Sequence, residues 1–250
     1  MSAHNADTVS RLRTEILRWQ GLKSPRGLQQ LRLAGIEFIF PNGDFPLRAI
    51  HEFLSSGRET AAATSGFIAA LLSALMKNSG AAVWISGSTT SFAPGFKFFG
   101  IEPHQFIFLT ANTEKEKLWL TEEALKCEGL AAVITELKEL SFPTSRRFQL
   151  ATETSGVTGF IISQSDKRFV KKLSPNCAAA RWRIRSMPSG TNKKNSDLPG
   201  IGFPAWNVEL LRLRNGRPGH WQLQWIADHL ELITQQLSTE EIQAPILKAG

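Results

Sequence analysis

The sequence predicts an α/β protein whose mostly parallel sheet is wrapped by helices and ends in an antiparallel β-hairpin. Between residues 49 and 163, short apolar runs alternate regularly with helical patterns. The apolar runs are continuous, which is typical of strands buried on both faces of a parallel sheet. After residue 164 the pattern changes, because the segment ARWRIRS (180–186) alternates strictly between polar and apolar residues. That alternation indicates strands that bury only one face.

The predicted elements begin with a helix at 8–20, capped by Thr8, and an irregular lead-in at 21–47 that holds the turn PNGDFP. Strands are expected at 49–54, 81–86, 106–111, 130–136 and 157–163. The helices expected between them lie at 64–76, after Pro94, at 114–127 and at 144–154. Next come the strand 180–186, a polar loop at 188–200, a β-hairpin within 205–225 and a closing helix at 226–238. This order divides the chain into a lead-in (1–47), a core with its hairpin (48–226) and a C-terminal helix and tail (227–250).

The composition is that of a globular protein with excess positive charge. Of the 250 residues, 42% are hydrophobic and 20% are charged, and the formal net charge is +7. The chain contains no uncharged apolar stretch of eighteen residues, and residues 1–19 scatter charges among their apolar positions. We therefore expect a cytoplasmic protein without a membrane partner. Cys127 and Cys177 are too few for a disulfide scaffold or a zinc site, and the five histidines do not pair at ligand spacing, so no metal is predicted.

The positive charge is unevenly distributed along the chain. Seven basic residues fall between 167 and 185 with only Asp166 nearby as an acid: Lys167, Arg168, Lys171, Lys172, Arg181, Arg183 and Arg185. Such a cluster suits a polyanionic partner such as nucleic acid, and it equally suits a solvated loop. The segment 114–139 is rich in glutamate instead, and the spacing of Glu122 and Lys126 indicates a solvated helix face.

The stretch SGRETAAATSGF (55–66) joins the first core strand to a helical pattern. In P-loop proteins, a glycine-led loop in this place holds phosphate through backbone N–H groups and a lysine. The spacing fits that loop when Gly57 is its first residue and Thr64 its last. However, Ala62 stands at the second glycine position and Ala63 at the lysine position. These four residues are the predicted degenerate nucleotide-binding loop.

Phosphoryl transfer from ATP requires a cation at the phosphates, a magnesium ligand and a group that positions water. Ala63 supplies no cation, and the chain after the second strand reads SGST (86–89), without an acid. The strand 130–136 ends in Thr-Glu, so Glu136 supplies a carboxylate only if the register is shifted by one residue. The sequence therefore predicts no catalytic residue, no enzymatic activity and no cofactor, while weak ATP binding through backbone amides and Thr64 stays open.

Taken in order, these segments resemble the RecA-type core. AIHEFLSSGRETAAAT (49–64) matches the strand and phosphate-binding loop of that family, and GLAAVITEL (129–137) matches its magnesium-binding strand. VTGFIISQ and ARWRIRS match two later core strands. Within this superfamily, the chain resembles the ImuA family over residues 7–226. The phrases that carry this resemblance are FPLRAIHEFL, APGFKFFGIEPHQFIFL, LWLTEEALKC, TSRRFQLATETSGVTGFII and WNVELLRLRNGRPGHWQLQW.

The resemblance implies an accessory role in SOS-induced, error-prone translesion DNA synthesis. ImuA proteins are associated with ImuB, an inactive relative of Y-family polymerases, and with an error-prone replicative-type polymerase. These are the partners that the resemblance implies, with RecA and single-stranded DNA as further candidates. Gln164 matches a glutamine that in RecA leads into a DNA-contacting loop. The residues after it that we expect to contact DNA are Lys167, Arg168, Phe169, Lys171 and Lys172.

Two other functions compete with the accessory role. One is a residual ATPase in which Glu136 serves at magnesium, and the other is a cell-division inhibitor that resembles SulA, which uses a RecA-like core without a functional P-loop. Two further groups of residues have alternative interpretations. Arg181, Arg183 and Arg185 form either a docking surface or a polar sheet face, and we expect core packing for Trp206, Trp221 and Trp225.

Overall fold

The computed structural model describes residues 39–40, 43–76, 80–87, 93–164, 174–188 and 202–235, which belong to a compact unit spanning Leu31–Gly250. Within these ranges nine strands form one sheet: β1 (Ile50–Ser55), β2 (Ala81–Ser86), β3 (Phe106–Thr110), β4 (Leu130–Leu137), β5 (Thr158–Gln164), β6 (Ala180–Met187), β7 (Ala205–Leu213), β8 (Gly219–Ile226) and β9 (His229–Gln235). The same ranges hold three α-helices, α1 (Arg58–Leu75), α2 (Glu114–Leu125) and α3 (Phe142–Ser155). Short 3-10 helices lie at Ala93–Phe99 and Pro103–Gln105.

The sheet is parallel in its first part and antiparallel in its second. The strand order is β3-β2-β4-β5-β1-β6-β7-β8-β9. All neighbouring strands from β3 to β6 in this order pair in parallel, and β6 to β9 form an antiparallel meander. β6 is the seam, because it pairs in parallel with β1 and antiparallel with β7. The prediction of an α/β fold with a mostly parallel sheet and an antiparallel end is confirmed.

Two apolar cores lie on opposite faces of the sheet. One core contains α1 and the 3-10 helix at 93–99, and we call this side the α1 face; Phe67, Trp84 and Trp182 are fully buried there. The other core contains α2 and α3, where Leu125 and Phe148 are buried; we call this side the α2–α3 face. β1, β2, β4 and β5 send buried side chains to both faces, as their continuous apolar runs predicted.

The antiparallel strands bury their apolar side chains on the α1 face. Trp206, Trp221 and Trp225 are 3%, 3% and 4% exposed and belong to that core. Their neighbours along each strand, such as Asn207 and Gln222, are only partly buried. This alternation confirms the β-hairpin within 205–225 and the core role that we predicted for the three tryptophans.

Two predicted helices differ from the structure. α1 begins at Arg58 instead of residue 64, because the alanine-rich stretch 58–63 has high helix propensity. The closing helix predicted at 226–238 is wrong, since residues His229–Gln235 form β9 and pair with β8. Leu230 and Leu232 alternate toward the α1 face, which is the period of a strand.

Several predictions lie outside the described residues, among them the helix at 8–20 and the polar loop from residue 189 onward. α3 starts at Phe142, two residues before the predicted start, because the Ser141 side chain accepts a hydrogen bond from the Thr144 N–H and caps the helix. None of the helices that the structure describes has the length and apolar character needed to cross a bilayer.

Candidate functional site

The junction between β1 and α1 is a tight turn of two residues. Ser56 N–H donates to Thr60 Oγ1 at 2.8 Å, and the Thr60 hydroxyl donates to Gly57 O at 3.0 Å. Gly57 has φ 100°, a conformation that favours glycine. The Ala61 N–H then donates to Gly57 O at 3.1 Å, which is the first helical hydrogen bond of α1. The glycine therefore starts a helix directly after the strand.

The other three residues of the predicted nucleotide-binding loop lie inside α1. Ala62 is exposed, while Ala63 and Thr64 are buried. The Thr64 hydroxyl donates to Thr60 O, four residues earlier, at 2.7 Å. Because residues 58–63 are helical, the N–H groups from residue 61 onward serve the helix, and only those of the first turn lack a helical partner. The Glu59 carboxylate lies in that first turn, where it accepts a hydrogen bond from Ser186 Oγ at 2.6 Å.

The carboxyl end of β4 bears the residue proposed to serve at magnesium. Glu136 Oε1 accepts a hydrogen bond from Trp84 Nε1 at 3.2 Å, which holds the carboxylate against the neighbouring strand. The preceding residue, Thr135, is fully buried on the other face and lies 2.8 Å from the Thr121 hydroxyl of α2. Of the stretch SGST (86–89) that follows β2 without an acid, Ser88 and Thr89 lie outside the described residues.

A hydrogen-bonded acid also lies where α2 begins, beside the ends of these strands. Glu114 accepts hydrogen bonds from the Lys138 N–H and from Lys117 Nζ, both at 3.0 Å. Burial alone would raise the pKa of Glu114, but these bonds and the two lysine charges hold its pKa below the ordinary value. Among the described residues, no three His, Cys, Asp or Glu side chains are grouped as metal ligands would be.

The predicted DNA-contacting segment begins at the carboxyl end of β5. Gln164 is the last residue of that strand and its side chain is exposed. Lys167, Arg168, Phe169, Lys171 and Lys172 lie outside the described residues. The chain is described again from Ser174, where a buried polar network begins.

Glu52 is the centre of this buried network, which the sequence analysis did not identify. Its Oε1 accepts a hydrogen bond from Ser163 Oγ at 2.8 Å. Its Oε2 accepts from Asn176 Nδ2 at 2.7 Å and from Arg181 Nε at 2.5 Å. Arg181 Nη2 also donates to Ser174 O at 2.9 Å. The carboxylate thus ties β1 to β5, to β6 and to the residues that follow the basic segment.

Two further arginines of β7 and its turn fasten the same residues. Arg212 Nη1 donates to Asn176 O at 2.9 Å, and Arg214 Nη2 donates to Cys177 O at 2.6 Å. From the helical side, Ser145 Oγ of α3 accepts a hydrogen bond from the Cys177 N–H at 2.9 Å. One signal in the sequence did point here, because Glu52 is a lone charge inside the apolar run AIHEFL and a buried charge requires a partner.

The arginines of β6 and the charged residues of α2 and α3 lie in different environments. Of the three β6 arginines, Arg181 is buried, Arg183 pairs with Glu209 at 2.7 Å and Arg185 is exposed. Arg146 is exposed on α3. The side chains of Arg147 and Glu122 form an ion pair between α3 and α2, and the Glu122–Lys126 contact of 3.5 Å confirms the predicted solvated helix face.

The fold and the site define an α/β protein with a mixed nine-stranded sheet, whose described part has a helix start in place of a phosphate loop after its first strand. The chain is 35% identical over 212 residues to Protein ImuA from two strains of Caulobacter vibrioides, and the match covers 82% of this chain and 86% of each relative. The chain therefore belongs to the ImuA family. No protein-family model matches it.

Proposed function

We propose that this chain is a non-catalytic, RecA-like accessory protein of SOS-induced, error-prone translesion DNA synthesis. Membership of the ImuA family supports the pathway. The observation that carries the non-catalytic role is the helix that starts at Arg58, directly after the turn at Gly57. An ATPase of the P-loop class needs an open loop of backbone N–H groups at this position.

The contacts around this turn oppose phosphate binding in three ways. The Ser56 N–H is already bonded to Thr60, so it is not free to bind an anion. Glu59 places a carboxylate beside the first turn of α1, where it repels a phosphate. Ala63 is 8% exposed and packs in the core of the α1 face, so even a lysine there would point inward.

A turnover assay with magnesium and ATP tests the non-catalytic role. We expect no hydrolysis above background in the wild-type chain or in Ala63→Lys, since the missing loop and not only the missing lysine prevents the chemistry. The matched test is Glu136→Ala, the residue of the competing ATPase hypothesis. Hydrolysis that this substitution abolishes would contradict the proposal and identify a residual ATPase.

We also propose that the basic segment between Gln164 and Ser174 contacts single-stranded DNA. Lys167, Arg168, Lys171 and Lys172 supply the charge that phosphates require, and Phe169 supplies an aromatic surface for a base. Arg181 bonds both Glu52 and the carbonyl oxygen of Ser174, the first described residue after this segment. This supports the proposal, because a segment with one end held in place loses less conformational entropy when it binds.

Fluorescence anisotropy with a labelled single strand over a salt series tests this DNA contact. We expect binding at low salt that weakens as salt rises, and a weaker, less salt-dependent interaction in Lys171→Ala/Lys172→Ala. The control is Lys97→Ala, an exposed lysine on the 3-10 helix at 93–99, which should leave binding unchanged. Equal effects of the two variants would contradict the assignment to this segment.

The protein partners follow from the proposed pathway. We propose an ImuB-type inactive polymerase relative, with an error-prone replicative-type polymerase and RecA as the further partners of the same assembly. Co-expression with the ImuB-type protein, followed by purification through a tag on this chain, should recover a stoichiometric complex. Failure to recover it, with both proteins soluble, would remove the accessory role and leave the SulA-like alternative to be tested in a cell-division assay.

A further inference from the structure

In the described part of the chain, β3 is an apolar edge strand that carries none of the usual guards. Among the described residues it is the terminal strand on its side of the sheet. Its sequence, FIFLT, contains no charge, glycine or proline, and the Ile107 side chain is 47% exposed. Natural proteins usually guard such edges with charges, prolines or bulges, because unpaired backbone groups recruit other strands. The far edge has such guards, namely a bulge between β8 and β9 and a 3.1 Å contact between His229 and Glu231.

The backbone groups of β3 alternate between those that face β2 and those that face outward. Just beyond the strand, the Ala111 N–H donates to Ser86 O of β2 at 2.9 Å. Because a parallel ladder has a period of two residues, Ile107 and Leu109 direct their backbone groups to β2 as well. The N–H and C=O groups of the alternate residues, Phe106, Phe108 and Thr110, therefore face away from the sheet.

This edge is complementary to a second copy of itself. If two β3 strands lie antiparallel about a two-fold axis at Phe108, the outward groups of Phe106 meet those of Thr110 from the second copy. At the axis, the outward groups of the two Phe108 residues meet each other. Residues that lie directly opposite in this way exchange both of their hydrogen bonds in an antiparallel pair. Each outward donor in β3 thus gains an acceptor, and each outward acceptor a donor.

The side chains fit the same register. On the α2–α3 face, Ile107 of one copy lies opposite Leu109 of the other, in the close pair where Cα atoms are about 4.5 Å apart. Leu109 already packs on the core of that face. In the dimer, Leu109 of the second copy therefore covers the exposed Ile107 side chain of the first. On the α1 face, the Phe108 rings of the two copies contact each other. Each ring already stacks on Phe106 of its own copy, with 5.5 Å between the ring centroids. No like charges oppose each other, since the strand contains none.

We propose that this chain forms a two-fold symmetric dimer in which the β3 edges of two copies pair antiparallel and join the two sheets into one. Two-fold dimers are the commonest closed assembly, and an isologous interface requires the self-complementarity that β3 has. The inference rests on the β3 edge alone and is independent of the proposed function.

Sedimentation velocity on the full chain tests the dimer, over about 1 to 100 μM, the range in which a small interface associates. We expect a shift from the 27.7 kDa monomer to twice that mass as concentration rises. Ile107→Lys, which places a charge opposite Leu109 of the second copy, should weaken the association at least tenfold. The matched control is Ile233→Lys on β9, an equally exposed isoleucine at the other edge, which should dimerise like wild type.

Hydrogen exchange locates the interface independently of mass. In the wild-type dimer, the amides of Phe108 and Thr110 should gain protection as concentration rises, whereas in Ile107→Lys they should stay unprotected. At a concentration low enough for both chains to be monomeric, the two proteins should have the same thermal transition. A wild-type chain that stays monomeric at all concentrations overturns the proposal. A dimer that survives Ile107→Lys also overturns it, because the interface then lies elsewhere.

Discussion

Glu52 and Arg181 form a buried ion pair across the central strands β1 and β6, with 2.5 Å between Glu52 Oε2 and Arg181 Nε. The two residues are direct register partners, and their side chains are only 5% and 6% exposed. Charges at this depth are tolerated because each is paired and hydrogen-bonded. The pair therefore links the two strands through their side chains. It also positions Ser174, because Arg181 donates a hydrogen bond to the carbonyl oxygen of that residue.

Removing the arginine should destabilise the fold strongly. We expect Arg181→Met to lower the free energy of unfolding by about 3–5 kcal/mol, because Glu52 is left buried without its cation. Urea unfolding at neutral pH measures the loss. Arg185→Met on the same strand is the control, since this arginine is exposed, and should change stability by less than about 0.5 kcal/mol. The double variant Glu52→Gln/Arg181→Met should recover part of the loss, and no recovery would contradict the pairing.

A milder change at Arg181 tests whether this residue affects DNA binding through its charge or by positioning the basic segment. Arg181→Lys keeps the charge, but an ammonium lacks the planar fork that reaches Glu52 and Ser174 together. If the basic segment binds single-stranded DNA, its affinity should fall by about threefold to tenfold, roughly 1 kcal/mol. The salt dependence should stay the same, because no phosphate contact is lost. Anisotropy titrations at several salt concentrations measure both quantities, and a changed salt slope would argue against a positioning role.

His51 should make stability depend on pH in the mildly acidic range. Burial lowers the pKa of this histidine from 6.5 to about 4, while Nε2 lies 2.6 Å from Pro46 O and Nδ1 3.3 Å from Trp182 Nε1. Above pH 6.5 it is neutral in both the folded and the unfolded chain, so it contributes no pH dependence there. As pH falls toward 4, the unfolded chain binds a proton that the folded chain does not, so the free energy of unfolding falls by up to about 3 kcal/mol.

Chemical denaturation between pH 7 and pH 5 measures this effect. The wild-type chain should lose stability across that interval, and His51→Gln, which keeps a donor for Pro46 O, should lose less of it. Parallel pH profiles for the two proteins would show that His51 is not the titrating group.

Thr60 should matter more to the β1–α1 turn than Thr64, the residue at the phosphate-loop position. Thr60→Val removes the acceptor of the Ser56 N–H and the donor to Gly57 O, so we expect a loss of about 1–2 kcal/mol, as for a helix cap. Thr64→Val removes a hydroxyl that bonds only within its own helix, and should cost less than about 0.5 kcal/mol. Thermal unfolding compares the two isosteric changes, and a larger effect at Thr64 would contradict this account of the turn.

The parallel half of the fold could be predicted from the sequence because its signals are local and repeated. β2 begins and ends where the apolar run AAVWIS does. The start of α1 was misplaced because its spacing matched a phosphate loop, although the run RETAAA has the composition of a helix. In that stretch local helix propensity, and not the spacing of Gly57 and Thr64, determines where the helix begins.

β9 and the Glu52 network could not be predicted in the same way. The hairpin turn before β9 has positive φ at Ala227 (49°) and Asp228 (63°). Two-residue hairpin turns with this backbone usually have the sequence Asn-Gly or Asp-Gly, and Ala-Asp does not signal one. Ile233 also follows Leu232 directly at a bulge, which breaks the period of two and favours a helical interpretation. Arg181 and Glu52 are 129 residues apart, and their pairing depends on a strand order that no local pattern contains.

The seam at β6 has a consequence for how the chain is made. β1 emerges from the ribosome with Ile50–Ser55, but its second neighbour, β6, ends at Met187. At about 5–20 residues per second, synthesis leaves the free edge of β1 open on the order of ten seconds. During that interval Glu52 lacks its arginine, and the nascent chain presents a strand that later becomes the middle of the sheet. Any product that stops before β6 therefore keeps an open edge in its core, which makes incomplete chains substrates for chaperones and proteases.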